Sequence, residues 1–255
     1  FTLSNAHFVR LLELVVTNCP STGIALEGSG SAMISNVVSV SNAGNGLSIQ
    51  NGGLHEVVDC VFQGNASHGA YLLAAPDLLF RRCRFLNNAV CGIQNGISDA
   101  GPCLRVEFRE CLIASNASGA YVRSRDAKQW LFNNSVIYGN TAYGIQLNHY
   151  ANITNRNTII ACNGSHGVSG TETCSGYNYH CNVVANGYDF VGNVQTVVTN
   201  CIGANPSFVD ARKGDFRLYE DSPGAGAGEG GVDMGLYPDG PRVRIQPDRK
   251  STRLN

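Results

Sequence analysis

Charge is scarce in this chain: only 15% of its 255 residues are Asp, Glu, Lys or Arg, and they balance to a formal net charge of −1. That balance gives no electrostatic reason to expect a nucleic-acid partner. No apolar run approaches membrane-spanning length, so no transmembrane helix is expected. The ten cysteines include no Cys-x-x-Cys pair, which leaves a zinc site near His166, His180 and Cys181 without its usual signature. No metal and no cofactor is assigned. An initiator Met and the basic, apolar and small-residue regions of a signal peptide are also missing. Phe1 to Arg10 begins inside a repeat, so further coils and any export signal are expected upstream.

Glycine and asparagine, by contrast, are abundant and periodic. The segments DCVFQGNASHGAYL and RCRFLNNAVCGIQN repeat one pattern: Cys60, Phe62, Asn65 and Gly69 recur as Cys83, Phe85, Asn88 and Gly92, each 23 residues on. A glycine column runs Gly23, Gly46, Gly69, Gly92, Gly119, Gly144, Gly167, and an asparagine column runs Asn42, Asn65, Asn88, Asn116, Asn140, Asn163, Asn186. Such a period belongs to a solenoid. After each glycine, apolar residues alternate with variable ones (Leu47 and Ile49, Ala70 and Leu72, Ile145 and Leu147), the pattern of a strand with one buried face. A second short strand precedes each asparagine. At about 3.3 Å per residue a 23-residue coil makes a circuit of roughly 75 Å, enough for three short faces around a narrow core. Glycine is expected to supply positive φ at the corner, and asparagine to tolerate the left-handed region while its amide bonds the next coil.

The pattern Cys/Val-x-Phe/Ile, Asn, Gly-apolar-x-apolar resembles that of the right-handed parallel β-helix proteins of the pectate-lyase-like superfamily. The expected fold is therefore all-β, with the right hand that parallel crossovers favour. Leucine-rich repeats overlap in period, but their Leu-x-x-Leu-x-Leu frame is missing; no six-residue repeat supports a left-handed helix. The coils are expected over residues 1–196 and a closing segment over 197–240, with a tail over 241–255. Pro206, Phe208 to Asp210, Gly214 to Phe216, Ser222, Pro223, Asp233 and Gly235 in the closing segment resemble the end of bacterial secreted or surface β-helix proteins. Its expected role is to cap the open end of the core. Asp248 to Asn255 resembles translated sequencing adapter and is set apart from the fold; without it the net charge moves from −1 to −3.

Cys60, Cys83, Cys111 and Cys181 share an inward column whose spacing of about 4.8 Å exceeds disulfide reach, so buried thiols are expected there. Cys91 with Cys103 could close the insertion Ile97 to Cys103, and Cys162 with Cys174 could staple the irregular stretch Ser169 to Tyr179. Asn65, Asn116, Asn133, Asn152 and Asn163 head glycosylation triplets, and three of them belong to the asparagine column. Asp59, Arg82 and Glu110 are expected as an exposed ion ladder.

Insertions at Ile97 to Cys103 and Arg123 to Lys128 border the strand that follows the glycine. Its outward columns read Ala25, Ser48, Tyr71, Gln94, Tyr121, Gln146, Ser169 and Glu27, Gln50, Leu73, Gly96, Arg123, Asn148, Thr171. Tyrosines and amides along a flat sheet suit a polysaccharide. The paired carboxylates of hydrolysis, the calcium-binding aspartates of pectate lyases and the Asp-Pro-His-Asp signature of mannuronan epimerases are absent. A metal-free lyase needs a base, a cation for the enolate and an acid. The candidates are Tyr121 as base, Arg123 as carboxylate partner and His149 as second acid/base group, with Tyr71, Gln94, Gln146, Asn148 and Asp126 binding substrate. The expected protein is extracellular or on the cell surface. It binds acidic polysaccharide and cleaves it by β-elimination; the alternative is a non-catalytic adhesin or scaffold. The sequence assigns no oligomeric state.

Overall fold

The computed structural model describes residues 1–75, 77–96, 105–123 and 129–244. The chain is a parallel β-solenoid of about 8 turns with almost no helix. Each coil contributes three strands, as in Leu47–Gln50, Leu54–Val58 and Val61–Gln63. Equivalent strands of successive coils pair in parallel and in strict register, Ala25 to Ser48 to Tyr71 on the first face and Val38 to Val61 to Arg84 on the third. In the last coils the strands His166–Tyr179 and Tyr188–Thr199 run unbroken through the first corner, so first and second faces merge. The stretch from Ser169 to Tyr179, irregular by sequence, is therefore strand, with a register shift between Gly170 and Cys174.

The core repeats with the coil. Phe80, Phe108 and Phe132 stack at 5.1 and 4.9 Å between ring centres, and Phe62 stacks on Phe85 at 5.3 Å. Each buried asparagine Oδ1 accepts from both the side-chain and the main-chain N–H of the asparagine one coil earlier: Asn65 to Asn88 at 2.9 and 3.1 Å, Asn116 to Asn140 at 3.1 and 3.0 Å. The ladder runs from Asn42 to Asn186. Asn65, Asn116 and Asn163 are buried in it, which explains three of the five triplets as structural. Cys60, Cys83, Cys111 and Cys181 are buried free thiols, each donating to a main-chain carbonyl at 3.2 or 3.3 Å. Ser135 and Thr158 fill the same column with hydroxyls doing likewise.

The expectations for the column glycines and for the cysteine pairs are corrected, and the ion ladder forms in part. The column glycines do not adopt positive φ. The left-handed corners are held instead by Asn36, Asp59, Arg82, Glu110, Asn134, Asn157 and His180, with φ between 45° and 55°. The glycines are needed for close approach: a Cβ at Gly92 would lie 2.6 Å from Ile113 Cγ2 and 2.8 Å from the Gly119 carbonyl. Cys162 and Cys174 do not pair, because Cys162 is exposed at a corner while Cys174 is buried. Of the ion ladder, Arg82 clasps Asp59 through two bonds of 2.7 Å; Glu110 adds charge at longer range. Cys91 is a buried free thiol, so it does not close the first insertion with Cys103, which itself lies outside the described residues.

The segment after Asn205 forms a hairpin, Phe208–Asp210 with Asp215–Leu218, joined by the 3-10 turn Ala211–Lys213. It then runs back along the third face rather than across the end. Phe216, Leu218, Met234 and Leu236 form a second core with the outward residues Leu112, Ala114, Val136, Ile159 and Ala161. Tyr138 meets Phe208 and Phe216 edge-on at 5.9 and 5.3 Å. The corner column anchors this strap: Asn134 donates to the Asp233 carbonyl, Asn157 accepts from Glu229 N–H at 2.8 Å, and Gly235 N–H donates to the Asn157 carbonyl at 2.7 Å. Asp233, nearly buried, holds the strap together by accepting from Arg242 and from Gly226 N–H.

Candidate functional site

On the first face the two outward columns stand in the predicted register. Tyr71, Gln94, Tyr121 and Gln146 are direct neighbours on four successive rungs. Arg123 pairs with Asn148 one column over. All six are half-buried, because neighbours on both sides pack against them while solvent covers the front.

Tyr121, Arg123 and Asn148 form one cluster. Asn148 Nδ2 donates to the Tyr121 hydroxyl at 3.1 Å, and the Arg123 guanidinium lies 5.7 Å from the Tyr121 ring centre. Arg123 Nε is buried without a hydrogen-bond partner among the described residues. His149 follows Asn148 directly, at a corner with φ 55°, so it sits at the rim of this cluster. Asp126 lies outside the described residues, as do the two insertions apart from their flanking residues. Among the described residues of these columns Arg123 is the one cation and Glu27 the one carboxylate. Tyr71 leans the same way as Tyr121, its hydroxyl lying over Gly96, where any Cβ would strike it.

Sequence reasoning missed the residue that sets Arg123. Asn95 points inward on the strand Cys91–Asn95, where apolar residues are the rule, and is buried. Its Oδ1 accepts from Arg123 N–H at 2.7 Å and its Nδ2 donates to the Arg123 carbonyl at 2.5 Å, clamping that main chain. A polar residue in an apolar column was the available signal. The edge of the face carries a ring column. His68 stacks on Tyr71 at 5.8 Å, and His166 is sandwiched between Tyr143 and Tyr188 at 5.3 and 5.5 Å. Burial holds His68 down to about 4, and its Nδ1 accepts from Cys91 N–H. Neither histidine joins the Tyr121 cluster.

Charged groups elsewhere make a separate arrangement. On the second face Glu107 is nearly buried between Arg105 and Arg109, at 3.3 and 2.5 Å. It borders a cleft of about 320 Å³ with Leu54, Asp77 and Leu79. A cleft of about 310 Å³ lies where Leu236 and Tyr237 of the strap approach Asp59, Arg82 and Glu110.

Residues 2–124 match the family model described as the right-handed beta helix region. Among solved structures, the chain is similar to a periplasmic alginate epimerase, AlgG, with TM-score 0.62, 12% identity and 74% of this chain covered. It is similar to the pectate lyase Pel9A, with TM-score 0.57, 16% identity and 87% covered. The A-module of the mannuronan C-5 epimerase AlgE6 from Azotobacter vinelandii gives TM-score 0.56, 15% identity and 76% covered. The chain spans 51%, 68% and 60% of these three structures. No curated protein matches it significantly in sequence.

Proposed function

We propose that this chain, a right-handed parallel β-helix, binds an acidic polysaccharide along its first face and cleaves it by β-elimination at Tyr121, Arg123 and His149. The observation that carries this reading is the Tyr121, Arg123 and Asn148 cluster, which puts a phenol, a guanidinium and an amide together on a solvent-facing sheet. Arg123 would pair with the uronate carboxylate and stabilise the enolate that forms when Tyr121 removes the proton beside it. Electrons of the broken C–H bond form the new C=C bond as the glycosidic C–O bond breaks. His149 donates the proton that the leaving oxygen takes up. Asn148, donating to the Tyr121 hydroxyl at 3.1 Å, fixes where that oxygen points. Tyr71, Gln94 and Gln146 line the neighbouring subsites, with Asp126 on the adjoining insertion. The structural neighbours named for alginate, pectate and mannuronan support a polysaccharide ligand. The neighbour named as periplasmic supports export.

The test is the ultraviolet absorbance of unsaturated uronate released from a panel of uronic-acid polymers. Activity is expected in the parent chain, with at least about a hundredfold loss in Tyr121→Phe and in Arg123→Ala. Binding that survives in these variants, with no unsaturated product from the parent chain, would instead make the protein a non-catalytic adhesin or scaffold.

A further inference from the structure

Over the four rungs from Tyr71 to Gln146 the first-face column alternates between tyrosine and glutamine. Tyrosine occupies alternate rungs, Tyr71 and Tyr121, and an amide occupies the rungs between and after, Gln94 and Gln146. Rungs are about 4.8 Å apart, so the two tyrosines stand roughly 9.6 Å apart along the solenoid axis. Their poses are equivalent although their surroundings differ. Each hydroxyl reaches one rung forward and one column across, Tyr71 onto Gly96 and Tyr121 onto Asn148. Each ring also has one neighbour holding it, His68 for Tyr71 and Arg123 for Tyr121. The missing side chain at Gly96 and the amide at Asn148 thus serve the same end by different means.

We infer that the first face selects a flat, two-fold polysaccharide ribbon, a β-(1→4)-linked pyranose chain in which each unit is turned over relative to the next. One unit of such an extended chain is about as long as one coil rise. Alternate units then present the same ring face. Two units separated by one stack on Tyr71 and Tyr121, while the intervening unit turns its hydroxyls to Gln94. A chain bent at each axial linkage falls out of step with the tyrosines after one unit. With Arg123 the one cation among the described residues of the two columns, shape selects more strongly than charge, so a neutral ribbon of this geometry binds as well. This inference rests on the proposed assignment of the first face as the polysaccharide site.

Calorimetry with oligosaccharides of two to six units tests it, using β-(1→4)-mannuronate, neutral β-(1→4)-mannan and α-(1→4)-galacturonate. Both β-linked series are expected to gain about tenfold in affinity between two and four units, as the chain comes to span both tyrosines. Tyr71→Ala and Tyr121→Ala are each expected to remove about that gain, and the galacturonate series to bind more weakly at every length. Galacturonate binding as tightly, still sensitive to Tyr71→Ala, would overturn the ribbon and leave the first face as the site. Binding indifferent to both tyrosines, or no binding by any series, would overturn the ribbon and the assignment of the face together.

Discussion

The first and third faces of the solenoid are built on the same backbone and share one core, yet they meet different surroundings. Along the middle rungs of the first face the outward residues Tyr71, Gln94, Tyr121, Gln146 and Asn148 are tyrosines and amides, half-buried against one another and open in front. Along the third face the outward residues of the later coils are Leu112, Val136, Tyr138, Ile159 and Ala161, and the strap covers them. The earliest coils of that same face carry Val15, Thr17, Val38 and Val40, which are not part of the core the strap forms, while Arg84 borders the cleft beside Leu236 and Tyr237. Inward columns therefore make the coil, and outward columns decide what each face does. The polar rungs of the first face stay open to a ligand, and the apolar rungs of the later third-face coils are buried by the chain's own C-terminal segment.

Substitutions on the two faces should separate stability from binding. The largest effect is expected from Phe216→Ala, which empties the strap's contact with the third face. A loss of about 3 to 5 kcal/mol in urea unfolding is expected, with new binding of a hydrophobic dye as the face is exposed. Tyr71→Ala on the first face is expected to change stability by no more than about 1 kcal/mol, since one side of its ring already faces solvent. Equal losses at the two positions would erase the distinction between the faces.

Acid should act through two buried histidines. Burial holds His68, beneath Tyr71, and His55, in the core, down to about 4, against an ordinary value near 6.5. The folded state therefore binds fewer protons than the unfolded one between these values. The stabilisation is complete above about pH 6.5 and is lost as pH falls through 4. The melting temperature is expected to drop over that window, and His68→Gln is expected to flatten part of the drop, because Gln can still accept from Cys91 N–H without titrating. A melting temperature independent of pH there would remove the acid sensitivity from the first face. The smallest effect is expected at the corner between faces. Arg82→Ala breaks the pair with Asp59, which is solvent-exposed, and should cost at most about 1 kcal/mol by the same urea measurement.

The fold was legible because nearly all its contacts recur at one separation. Asn65 bonds Asn88 and Arg82 clasps Asp59 at a spacing of 23 residues, so a column written in sequence is a column in space. The outward columns carrying Tyr71, Gln94, Tyr121, Gln146 and Asn148 followed from the same rule. The cluster itself was less legible. That Asn148 holds the Tyr121 hydroxyl depends on side-chain tilt across two coils, and Asn95 was passed over because its column was read as purely apolar. Glu107 escaped notice although Arg105 and Arg109 flank it at alternate positions of one strand.

By itself, the sequence determined the coil length, the inward columns, the asparagine ladder, the reduced thiols and the order of residues along each face. All of these repeat at the solenoid's own period. Only the tertiary structure decided that the column glycines serve close packing rather than positive φ, since that depends on how tightly neighbouring coils approach. Only it placed the C-terminal segment along the third face. The contacts that hold the strap join Asn157 to Glu229 and Asn134 to Asp233, 72 and 99 residues apart, and no repeat encodes such distances. They form because an apolar outward surface, once the coils exist, is buried most fully by the one segment of the chain that carries Phe216, Leu218, Met234 and Leu236.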